Sequence, residues 1–131
     1  MTSATDKTTN EPDYDALLRA NLTRVFNERD RALREAAIAE LFCAEPTLYE
    51  PAGIVKGQTA ISDVAGALLE QFGADFSFAA TGIAVGHHGL GYLKWQAGPA
   101  NGPVVVSGVD VAEINDGKIT RLWVLLDAPQ S

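Results

Sequence analysis

The chain is poor in the residues that mark several common protein classes. It has one cysteine, Cys43, so no intrachain disulfide can form and no thiolate cluster can hold a metal. Ten basic residues stand against seventeen acidic ones, for a net charge of -7, and no run of Lys or Arg occurs anywhere. Phosphate backbones and anionic bilayers draw on basic clusters, so nucleic acid and membrane surfaces are excluded as partners. No apolar run reaches the length of a membrane span. Histidine is limited to His87 and His88. On a strand they would face opposite sides, so they make a poor chelating pair, and neither a metal nor a cofactor is expected.

What is present suits one globular domain. The 131 residues are 47% hydrophobic, enough for a single core and too few for two. Residues 1–11 are polar and Thr-rich, with no hydrophobic segment of the secretory kind. They read as a disordered lead-in, with the domain over 12–131 and a cytoplasmic location as the expectation. Cys43 sits among Leu41, Phe42 and Ala44 and reads as a small buried apolar residue.

The first half of the chain is helical by period. Pro12 and Asp13 open a helix whose stripe is Tyr14, Leu17, Leu18, Leu22, Val25 and Phe26. A second helix is expected from about 31 to 43, with Leu33, Ala37, Ile38, Leu41 and Phe42 inward, stopped by Pro46. A short strand, Thr47 to Glu50, precedes Pro51. A third helix, 58–72, carries Ile61, Val64, Ala65, Leu68, Leu69 and Phe72 inward. From Asp75 onward the period becomes two, with strands expected at 75–85, 90–97, 104–114 and 119–126. Asn101-Gly102 and Asn115-Asp-Gly117 have hairpin-turn composition. Three helices followed by a curved antiparallel sheet define an α+β roll.

Two carboxylates fall inside apolar sequence, Glu50 in Thr47-Leu-Tyr-Glu-Pro51 and Asp110 in Gly108-Val-Asp-Val-Ala112. A carboxylate in a dry setting is either paired with a cation or tuned as an acid or base. Tight turns at 101–102 and 116–117 would set Leu93 opposite Asp110, Trp95 opposite Gly108 and Trp123 opposite Asp110. One face would then carry Leu93, Trp95, Gly108, Asp110, Trp123 and Leu125, and desolvation would raise the Asp110 pKa. Two readings stand for Asp110: a functional acid, or an ion pair with Arg121 one diagonal step away. Glu50 shares a face with Leu48, which points it inward, unless the strand edge turns it to solvent. Trp95, Trp123, Leu93 and Tyr92 are candidate ligand contacts, with core packing as the alternative for the aromatic rings. His88 is either an exposed turn residue or a proton shuttle near a cavity mouth. Val105, Val109 and Val111 make the opposite face of the same strand apolar as well, so that face needs a cover.

The segments Ala39-Glu-Leu-Phe42, Thr47-Leu-Tyr-Glu-Pro51, Gly57-Gln-Thr-Ala-Ile61, Ser107-Gly-Val-Asp-Val-Ala112 and Asp116-Gly-Lys-Ile119 resemble the nuclear-transport-factor-2-like superfamily, in its SnoaL-like and ketosteroid-isomerase-like branch. The resemblance runs from Tyr14 to Asp127. It implies a cone of sheet closed by helices, and a homodimer paired through the sheet. In ketosteroid isomerases an acid before a proline is the general base, which the likeness carries onto Glu50. A second acid, kept protonated as an oxyanion donor, carries onto Asp110. The tyrosine donor of those enzymes has no counterpart between Asn21 and Phe26. Gly108 stands where limonene epoxide hydrolase needs an arginine, while SnoaL-type cyclases need mainly an interior carboxylate. Two functions follow as expectations: an isomerase, cyclase or dehydratase using Glu50 and Asp110 on a small apolar carbonyl compound, or a non-catalytic ligand-binding or scaffold domain.

Overall fold

A computed structural model describes residues 11–128. All of the expected lead-in except Glu11 lies outside the described residues. Helix α1 (Tyr14–Ala20) runs directly into a π-helical turn, Asn21–Phe26. Then come α2 (Arg31–Leu41), β1 (Phe42–Glu50), β2 (Gly53–Lys56), α3 (Gln58–Phe72), β3 (Phe76–Ala80), β4 (Val85–His87), β5 (Leu90–Pro99), β6 (Val106–Asn115) and β7 (Lys118–Leu126).

Short acids start the first two helices. Asp13 accepts from the Ala16 amide and Asp30 from the Leu33 amide, each satisfying a free N–H of a first turn. The buried face of α2 is Arg34, Ala37, Ile38 and Leu41, spaced three and four apart. That spacing leaves Leu33 off the face, and it is 60% exposed rather than inward. Helix α2 ends at Leu41, and β1 begins at once with Phe42, before Pro46. Extra residues between Phe42 and Thr47 bulge out of the sheet.

The seven strands among the described residues form a curved, open sheet in the order β2-β1-β7-β6-β5-β3, with β4 also on β5. The hairpins from β5 to β7 are antiparallel, as their turns imply, whereas β1 joins β7 in parallel, making the sheet mixed. In the β6–β7 turn, Asp116 and Gly117 both take positive φ, 52° and 76°, which matches a two-residue turn to the strand twist.

The concave face of the sheet buries its side chains against the helices. Leu48, Leu122 and Ala112 are fully buried side by side across β1, β7 and β6, and Leu93 is fully buried on β5. Helix α3 is tied to the next strand by Arg29, which donates to the carbonyls of Leu69, Gly73 and Phe76 at 3.3, 2.7 and 2.9 Å.

One expected register is overturned. Leu93 does lie opposite Asp110 and Trp95 opposite Gly108. On β7, however, Ile114 pairs with Ile119 while Glu113 pairs with Arg121, so Thr120 is an extra residue. Its hydroxyl donates to the Glu113 carbonyl at 3.0 Å. The bulge flips every later side chain of β7. Val124 therefore faces Asp110, and Trp123 faces Val111 on the convex side.

Candidate functional site

The concave face, the π-helical turn and α3 enclose a recess of about 170 Å³. Leu22 and Phe26 of the turn, Phe76 and Phe78 of β3, and Trp95 of β5 make apolar walls, and Asp110 and Glu50 supply the carboxyls. Phe78 is fixed by Asn27, whose amide acts as an extra strand partner. Asn27 Nδ2 donates to the Phe78 carbonyl at 2.8 Å, and its Oδ1 accepts from the Phe78 amide at 2.7 Å.

Asp110 is 3% exposed. Its Oδ1 accepts from Trp95 Nε1 at 2.9 Å. Gly108 makes room for that indole, since a Cβ there would lie 2.9 Å from the Trp95 ring and against the Leu125 carbonyl. Burial pushes the Asp110 pKa from 3.8 up to about 7, against the opposing pull of Trp95 and of the Asn21 amide. Loss of hydration outweighs both neighbours because both are neutral and only Trp95 reaches hydrogen-bonding geometry. The carboxyl thus holds its proton to near neutral pH in a site whose other walls, Glu50 aside, are aliphatic and aromatic.

Glu50 enters from the end of β1, half-buried beside Pro51. The parallel register pairs Leu48 with Leu122 and Tyr49 with Trp123. Continued by one residue, it sets Glu50 beside Val124, which is itself opposite Asp110. The two acids therefore stand on one face with a single strand between them, a backbone separation of roughly 10 Å. This arrangement leaves space for a small ligand between a base and an acid.

The remaining expected contacts distribute differently. Trp95 lines the recess. Leu93 lies beside Asp110 but is wholly buried in the core and is not a lining residue. Trp123 is on the convex face because of the Thr120 bulge, stacked on Tyr49 at 4.8 Å between centroids. Tyr92 is exposed on that same face, opposite Val111. His88 is an exposed turn residue with φ 54°, its amide donating to Glu11, and it does not line the recess. Arg121 is also convex, paired with Glu113 at 2.9 Å, so the ion pair considered for Asp110 does not form. Asn21 is the neighbour that the sequence reading passed over. It interrupts the apolar stripe at three residues from Leu18 and four from Leu17, a polar residue at a buried helical position.

A roll of this shape, three helices against a curved open sheet, is that of the nuclear-transport-factor-2-like superfamily. The chain belongs to the SnoaL-like domain family, whose model matches residues 18–122. Among solved structures it is similar to a candidate isomerase of the SnoaL-like family from Agrobacterium tumefaciens, at 22% identity and TM-score 0.81, over 88% of this chain and 98% of that one. It is also similar to a candidate ketosteroid isomerase from Kribbella flavida, at 14% identity and TM-score 0.68, over 91% and 81% of the two chains. A protein of unknown function with a cystatin-like fold from Methylobium petroleophilum matches at 19% identity and TM-score 0.70, over 91% and 78%. At these identities the likeness is one of fold. No curated protein matches the chain.

Proposed function

We propose that this protein is a small-molecule enzyme of the isomerase, cyclase or dehydratase type, moving a proton at carbon next to a carbonyl in an apolar recess. The observation that carries this reading is Asp110, buried with no cation beside it among the described residues and held as an acid near neutral pH, on the same face as Glu50. Glu50, as carboxylate, takes a proton from the carbon beside the carbonyl. As charge moves onto the carbonyl oxygen, the protonated Asp110 carboxyl donates a hydrogen bond to it. Glu50 then returns its proton to a second carbon, completing an isomerisation, or to a leaving oxygen, completing a dehydration. The apolar walls exclude water and select a mostly apolar substrate.

The test is hydrogen–deuterium exchange at carbon in a panel of small cyclic enones and β,γ-unsaturated ketones, followed by NMR in deuterated buffer. The wild type exchanges a member of the panel. Glu50→Gln and Asp110→Asn lower that rate by about 10²-fold or more while remaining folded. Exchange unchanged in Asp110→Asn removes the catalytic role of that acid. A second reading, a ligand-binding domain without chemistry, is favoured by Leu22, an apolar side chain on the helical wall where an additional donor would face the substrate. Binding of panel members with no exchange in the wild type would establish it.

The convex face supports a homodimer. Ile54, Tyr49, Trp123, Val111, Tyr92 and Val85 form one unbroken row across six strands, each opposite the next. Ile54 is 65% exposed and Val85 52%. A second copy of the chain laid on this row would shield it. Sedimentation equilibrium should return twice the chain mass. A cytoplasmic location fits the single cysteine and belongs to the same reading.

A further inference from the structure

Among the described residues, Asn21 is the one buried side chain whose polar atoms, Oδ1 and Nδ2, both lack a hydrogen-bond partner. It is wholly buried. An amide left so costs on the order of 1–3 kcal/mol, which a core position would avoid with leucine. Asn21 opens the π-helical turn, a widened helical geometry that is often found at functional sites. Across the interior it lies against Asp110 and favours the charged form of that carboxyl, without reaching hydrogen-bonding geometry as placed. Asp110 Oδ1 is occupied by Trp95, and among the described residues nothing bonds Oδ2.

An amide differs from every other neutral side chain in carrying donors and an acceptor that exchange places on a half-turn about its last bond. We propose that Asn21 is the positioning residue of Asp110, serving both protonation states of the carboxyl. Nδ2 donates to Oδ2 when Asp110 is ionised, and Oδ1 accepts the proton of Oδ2 when Asp110 is an acid. Trp95 stays on Oδ1 throughout, so the proton has one address. Facing Asp110 are Leu93 and Trp95 of β5, Val124 of β7 and Asn21 itself, and none of them titrates. Among the described residues Glu50 is the other ionisable one lining the recess. The inference deepens the acid–base reading and rests on Asp110 titrating in place, yet its test needs no substrate.

Nitrogen-15 NMR of the full-length wild type between pH 5 and 9 follows the Trp95 indole N–H and the Asn21 side-chain NH2, both assigned through bonds. The two signals should move together with one midpoint near pH 7, and Asp110→Asn should flatten both. Asn21→Leu should raise the indole midpoint by about one pH unit, tenfold in the protonation equilibrium, because the bond to the ionised carboxyl is the stronger of the two. An Asn21 signal that stays flat while the indole titrates overturns the proposal, as does an unchanged midpoint in folded Asn21→Leu. If that variant does not fold, the wild-type signals decide. Both signals flat would overturn this inference together with the acid–base reading. Shared titration in a protein that exchanges no panel ketone would keep the positioning role and remove the enzyme.

Discussion

The two faces of the sheet are built from alternate residues of the same strands, yet they present opposite chemistry. The concave side is shut against helices and holds Asp110, an acid whose proton is retained to near neutral pH, among hydrocarbon and indole. The convex side carries a continuous apolar row flanked by the Arg121–Glu113 pair, with Arg121 also set 5.7 Å over the Trp123 ring. What separates them on β7 is a single inserted residue, Thr120. Had Thr120 taken a regular place in the ladder instead of bulging, Trp123 would have pointed inward and Arg121 would have shared a face with Asp110. The difference teaches that a bulge can determine whether an interior acid is tuned by dryness or neutralised by a guanidinium.

Inserting one alanine between Thr120 and Arg121 is the most severe way to break the contrast. It would turn Leu122 and Val124 outward and bury Arg121, and cooperative unfolding should be lost, as read by circular dichroism during a thermal melt. Next in size is the pH dependence of Asp110. Between about pH 4 and 7 the folded protein keeps a proton that the unfolded chain has released, so stability falls as pH rises through that window and then levels off. The stability of Asp110→Asn relative to wild type should therefore climb by up to about 4 kcal/mol from pH 4 to pH 8. A difference that stays constant in denaturant titrations would mean that the carboxyl is hydrated.

Gly108→Ala forces a methyl against the Trp95 ring and should cost about 1–3 kcal/mol, with loss of the downfield indole signal. The mildest change is on the other face. Trp123→Glu should halve the mass seen in sedimentation while altering the monomer's melt by less than about 1 kcal/mol and leaving the Trp95 indole titration where it was. If that titration moves, the faces are coupled and the contrast is not clean.

Much of this was legible in the residue order. The switch of period at Asp75, the Asp116-Gly117 turn and the alternation around Asp110 specify the hairpins, and the β5–β6 register follows from them despite a connection longer than two residues. The family likeness and the three-helix α+β roll were likewise carried by short motifs. The parallel seat of β1 on β7 was not legible, because it joins segments some seventy residues apart with no turn between them to fix direction. The Thr120 bulge left no mark either, since Lys118 to Leu126 alternates acceptably in both registers. Asn21 did leave one, a polar interruption of an apolar stripe, and its weight becomes clear only with Asp110 placed across from it.

The Arg29 clasp on Leu69, Gly73 and Phe76 has a mechanical corollary. Three charged hydrogen bonds rivet the end of α3 to the start of β3, so the wall bearing Phe72 and Phe76 cannot swing as a door. Among the lining residues Pro51, Leu126 and Phe72 are the exposed ones, so a guest meets the chamber between the fixed end of α3 and the lip where Glu50 and Pro51 lead into the four-residue edge strand β2.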